Sequence, residues 1–221
     1  MLETYITNLK RSHMKPFIIL LMILIILFNG LALAFTKAWS EVPVTIYVVL
    51  VAWFISCLVI MKQDSVKNIK VDELVTLRYL IVNLVVAYMQ PVAFSTGYVI
   101  GNAYTFWNTL DDWLIIQVPI VISCVSTVLF SLNEFHLAVK RAKTRLNIIA
   151  VLLKLISFIL IIYFTFKVPS VGEEYTYIWT LVVLIIPIDG YVLRSFFYYG
   201  LYIRTHRGEF DSSNIEQSDE E

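Results

Sequence analysis

The run PFIILLMILIILFNGLALAFT, residues 16–36, decides the class of this chain. It carries no charged residue over 21 positions. At about 1.5 Å per residue a helix of that length reaches roughly 31 Å, the thickness of a bilayer's hydrocarbon core. Five more apolar runs follow, near 43–61, 79–100, 113–132, 148–167 and 178–201. None alternates as a barrel strand does, and lipid offers no partner to an open backbone, so each is predicted to be a helix. The predicted fold is all-α, a polytopic membrane helical bundle with six transmembrane helices.

The bulk composition agrees. The chain has 221 residues, 59% of them hydrophobic, with a mean hydropathy of +0.77. A soluble domain runs at about 45–50% apolar. The formal net charge is zero, so nothing favours nucleic acid as a partner. Cys57 and Cys124 lie inside apolar runs, which argues against disulfides and a metal site and for plain packing. Lys10, Arg11 and Lys15 precede the first run, and Ala32-Leu33-Ala34 imitates a signal-peptidase site. The run is longer than a typical signal-peptide core, so it reads as a retained first span.

Lysine and arginine set the orientation. Thirteen of the 17 fall on alternate loops: Lys10, Arg11 and Lys15; Lys62, Lys67, Lys70 and Arg78; Lys140, Arg141, Lys143 and Arg145; Arg204 and Arg207. The opposite loops hold only Lys37 and Lys167. The prediction is N-in and C-in, in a cell membrane. Trp39, Trp107, Trp113 and Trp179 fall at the outer interface, where indole prefers to sit. Trp53 lies mid-span and reads as helix packing. Residues 133–147 read as a helical continuation of the fourth span. Residues 209–221 hold six acids and read as a disordered cytoplasmic tail.

Ionisable groups inside spans are costly and mark candidate sites. Asp189 sits near the middle of the sixth span. Gln90 and Ser123 lie at similar depth in the third and fourth, and the three form a candidate intramembrane polar site. Lys154 and Arg194 lie shallower, where each side chain is predicted to snorkel to the cytoplasmic interface. Pro187 and Gly190 flank Asp189, Pro91 follows Gln90, and Pro119 lies in the fourth span. These four are candidate helix breaks. Split three plus three, the chain puts a proline and a polar residue at the centre of the last span of each half, as transporters with broken helices do. Gly97 and Gly101 make a GxxxG pattern. Lys140, Arg141, Lys143 and Arg145 form a basic run suited to anionic lipid.

No catalytic motif is present: no HExxH, GxSxG, P-loop or GxGxxG. His13, His136 and His206 are far apart in the chain, and no cofactor or metal is expected. The size, the short loops and the lack of a soluble domain are similar to small bacterial membrane proteins, including export-system accessories and self-immunity proteins. That likeness implies a non-enzymatic protein that contacts another membrane protein or an export-system subunit within the bilayer. The alternative is a small transporter or permease subunit with its site around Asp189.

Overall fold

A computed structural model describes residues 2–11, 14–65, 71–139 and 141–208. The predicted tail at 209–221, together with Lys67, Lys70 and Lys140, lies outside the described residues. The chain forms seven α-helices among those residues: α1 (Leu2–Lys10), α2 (Lys15–Thr36), α3 (Val44–Ser65), α4 (Glu73–Gly101), α5 (Thr109–Glu134), α6 (Thr144–Lys167) and α7 (Thr176–His206). One 3-10 turn, Ala38–Ser40, links α2 to α3, and no strand occurs among the described residues. Six of the helices are long and apolar enough to cross a membrane.

The outward faces are apolar. Leu20, Ile23 and Ile26 on α2, Val48, Val51 and Ile55 on α3, Val118 and Val121 on α5, and Leu152, Leu155 and Ile159 on α6 are all exposed. Water-facing surfaces do not carry contiguous apolar area on that scale, and a lipid surround suits it.

Helix α4 is the spine. Of its most apolar stretch 61% is buried, against 17% for α6. The reason is in its sequence. Asn83, Ala87, Gln90, Ala93, Ser95, Thr96 and Gly97 are small or hydrogen-bonding, and such residues let helices approach closely where lipid supplies no hydrophobic drive. Helices α2 and α3 pack on one side of α4, α5 on the other, and α7 alongside; α6 packs on α5 and α7. Asp72 caps α4 by accepting from the Val75 amide at 2.9 Å. Asn108 caps α5 by accepting from the amides of Leu110 and Asp111. These caps carry both helices beyond their apolar runs.

Two features depart from the sequence reading. Residues 133–147 do not continue α5 as a helix. The helix stops at Glu134, and His136 takes a left-handed φ of 58°. A Schellman closure ends it, with the Leu137 amide donating to the Leu132 carbonyl at 3.0 Å, and Asn133 then ties the turn to α6. The Asn133 amide donates to the Lys143 carbonyl at 3.0 Å and to Asn147 at 2.7 Å, while its oxygen accepts from the Lys143 amide at 2.9 Å. One side chain thus closes the turn onto the start of α6.

The second departure is α1, which no hydropathy pattern announced. Ile6 and Leu9 are buried, and the helix packs on α7 and α4. Its last carbonyls would be orphaned at the helix end. Asn83 of α4 donates to the Leu9 carbonyl at 2.8 Å, and Gln63 of α3 donates to that of Lys10 at 3.4 Å. Gln63 also donates to Asn83 at 3.0 Å. Buried amides from the bundle therefore cap α1 at its C-terminus.

Candidate functional site

Asp189 stands 13 residues from the start of α7 and 17 from its end, near mid-helix. It faces inward, and its partner is Lys154 of α6. The Lys154 Nζ lies 2.6 Å from Asp189 Oδ2, with the side chains only 19% and 14% exposed. Little screening reaches a pair buried to that extent.

Three hydroxyls complete the network. Tyr88 of α4 donates to Asp189 Oδ1 at 2.5 Å, and Thr127 of α5 donates to the same oxygen at 2.9 Å. Lys154 Nζ also reaches Thr127 Oγ1 at 2.7 Å, Ser123 Oγ at 2.6 Å and the Ser123 carbonyl at 3.0 Å. Ser123 and Thr127 are four residues apart on α5, so they share one face. The ammonium has three protons for four oxygens within reach, and the carboxylate receives the ammonium and two hydroxyls. One positive and one negative charge cancel, and four helices, α4 to α7, meet at this point.

Beside the pair lies a cavity of about 210 Å³ lined by Ser126, Phe130, Ala150, Val151 and Leu193 together with Thr127, Lys154 and Asp189. Its wall is chiefly apolar. No group of three or more His, Cys, Asp or Glu that could hold a metal ion occurs among the described residues.

The structure brings Asp189, Ser123 and Lys154 together and leaves Gln90 and Arg194 elsewhere. Gln90 Oε1 accepts from the indole N–H of Trp53 at 3.0 Å, and its amide donates to the Val86 carbonyl at 2.9 Å and contacts Cys57 Sγ at 3.5 Å. Tyr88 and Gln90 are two residues apart, about 200° around the helix, so α4 shows them to opposite sides. The Arg194 guanidinium lies 5.0 Å over the Tyr198 ring.

Lys154 corrects the snorkelling expectation. Within reach of Asp189 its ammonium finds a countercharge and three further oxygens inside the bundle, which outweighs extension to the interface. The helix breaks are corrected too. Pro91, Pro119 and Pro187 lie inside continuous helices, and Gly190 sits in an unbroken α7. Proline in a bundle is tolerated because neighbours satisfy the freed backbone. Ser157 of α6 donates to the Pro119 carbonyl at 2.7 Å, tying α6 to α5 at that point. Trp113 is not a surface anchor: it is 4% exposed, and its N–H donates to Ser95 at 2.9 Å. Trp39 and Trp179 are exposed. Arg141, Lys143 and Arg145 are exposed around the start of α6.

Tyr88 and Thr127 were not singled out from the sequence. The four-residue spacing of Ser123 and Thr127 was a usable signal, because it puts two hydroxyls on one helix face. The GxxxG glycines serve a contact within the chain. A Cβ on Gly97 would strike the Tyr177 ring, and one on Gly101 would strike the Glu174 side chain. The start of α7 and the loop before it therefore lie directly on α4.

The sequence model of a family described as a domain of unknown function, DUF5079, matches residues 3–211. The match takes in nearly all of α1 and the whole bundle through α7. No curated protein and no solved structure matches the chain.

Proposed function

This chain belongs to the DUF5079 family, a domain of unknown function, and we propose that it is a multi-pass cell-membrane protein that acts without catalysis. Both termini lie on the cytoplasmic side in this reading, as the lysine and arginine split requires. It works by lodging against another membrane protein, as an accessory or an immunity-type partner does. The supporting observation is that the mid-bundle charge site is closed on itself. Lys154 and Asp189 satisfy one another at 2.6 Å, and Tyr88, Ser123 and Thr127 fill the remaining positions. Such a site locks helices and meets the pair's hydrogen bonds from within the bundle. The apolar outer faces of α2, α3 and α6 remain for contact with a partner.

The pairing changes how this reading is tested. Asp189→Asn alone strands the Lys154 ammonium and destabilises whatever the function. The matched variant Lys154→Gln with Asp189→Asn removes both charges and keeps polar atoms in place. The proposal expects a membrane protein in fixed stoichiometry with the tagged chain from mild detergent, recovered equally with the matched variant. A lone monomer that retains its biological effect would overturn it.

A second reading has one observation in its favour, since an ionisable pair beside a 210 Å³ cavity is what a small ion-coupled permease would use. It expects flux in vesicles under a pH gradient, abolished in the matched variant. Flux that survives the loss of both charges would end it.

A further inference from the structure

A second cavity lies away from the ion pair, at the opposite end of the bundle from α1. It measures about 430 Å³, within the ~300–1,000 Å³ range of small-molecule sites. Phe28 and Ala32 of α2, Phe94 of α4 and Tyr177 of α7 form its body, and Glu173 and Glu174 stand at its rim. The geometry points to a binding site for an organic cation with an apolar or aromatic body.

Three observations carry this. The first is the aromatic wall. The Phe94 and Tyr177 rings lie 5.4 Å apart between centroids, tilted at 53°. Gly97 permits that arrangement, because any larger residue there would collide with the Tyr177 ring. Aromatic faces attract a cation held within about 6 Å. The second is the rim. Glu174 Oε2 accepts from the Gly172 amide at 2.7 Å and from Ser170 at 2.9 Å, which fixes the carboxylate at the mouth. Glu173 stands next to it and is exposed.

The third is the field. This end of the bundle carries Glu41, Asp111, Asp112, Glu173 and Glu174 against Lys37 and Lys167. The excess is negative, and a cleft with low-dielectric walls concentrates such a field. Helices α2 and α7 meet at Phe17 and Tyr191, with ring centroids 5.6 Å apart, and farther along both helices line the cavity. A molecule partitioned into the membrane can enter apolar end first and leave its charge at the rim. Phe94 to Gly101 spans seven residues of α4, about 10 Å of depth.

The test uses the full chain in lipid nanodiscs with two probes of matched size and shape, tetraphenylphosphonium and tetraphenylborate, measured by equilibrium dialysis against empty discs. The expected result is saturable binding of the cation and none of the anion. Glu173→Gln with Glu174→Gln should weaken the cation at least tenfold. Ala32→Phe, which fills the cleft from α2 without touching either carboxylate, should weaken it comparably. Thermal melting of both variants confirms that they fold. Equal saturable binding of both probes overturns the proposal, since the site would then be merely greasy. So does binding no greater than that of empty discs, which means lipid chains fill the cleft. Unchanged cation affinity in both folded variants overturns it as well.

Discussion

The two faces of α4 hold the bundle together by different chemistry at the same depth. On one, Tyr88 turns towards α5, α6 and α7 and joins a charged network around Lys154 and Asp189. On the other, Gln90 turns towards α3 and makes a neutral contact with Trp53; two turns further on, Thr96 accepts from Asn29 of α2 at 3.0 Å. The charged side draws four helices around an ion pair, whereas the neutral side uses amides and hydroxyls, joining α3 and α2 to α4 in pairs and, at Asn83, α1, α3 and α7 together. Depth alone does not determine what a buried polar residue does. Its direction around the helix does.

The difference has energetic consequences. Breaking a buried ion pair by removing one partner leaves an uncompensated charge, at a cost of about 3–5 kcal/mol. Removing a neutral buried partner costs about 1–3 kcal/mol. The largest expected effect is therefore that of Asp189→Ala, which strands the Lys154 ammonium. Its folded yield and melting temperature in detergent should fall far below those of any neutral-side variant. A wild-type melting curve for Asp189→Ala would erase the distinction between the two faces.

Gln90→Ala comes next, at about 1–3 kcal/mol, because it orphans the Trp53 N–H. The same melting assay checks it, with Trp53 fluorescence reporting the change in polarity around the ring. If Gln90→Ala proves more damaging than Asp189→Ala, the order of the two faces is reversed. Asn83→Ala should cost about as much locally while acting on a different element. It uncaps α1, so amide hydrogen exchange should rise across residues 2–10 and stay near wild type in α5. Exchange that rises evenly through the bundle would show that α1 is no separate unit. Losing the Arg194 stack on the Tyr198 ring in Arg194→Gln should cost about 0.5–1 kcal/mol for that contact. A loss comparable to that of Asp189→Ala would put Arg194 in the charged network after all.

Much of the architecture was legible from hydropathy. Runs of about 20 apolar residues announce helices long enough to cross a bilayer, and six such helices are present. Depth was legible too, which is why Asp189, Ser123 and Gln90 stood out together. Azimuth is not legible from depth: Gln90 lies level with Asp189, yet α4 turns it to the other side, onto Trp53. The partnership of Lys154 with Asp189 links residues 35 apart on different helices, and no local pattern encodes it. Helix α1 was hidden because its nine residues fall below any spanning length and its stabilising caps come from Gln63 and Asn83, far along the chain. The turn after α5 rests on a left-handed His136 and on Asn133 reaching Lys143 and Asn147, in a stretch whose apolar spacing otherwise suits a helix.

The central claim is that Lys154 and Asp189 act as one unit that locks α6 and α7 together. A double-mutant cycle measures this directly, with Lys154→Met, Asp189→Leu and the combined variant unfolded under identical conditions. The account predicts that each single change destabilises strongly and that the combined variant is more stable than either single one, since an apolar pair replaces the ionic one without a stranded charge. Two single effects that simply add in the combined variant would contradict it.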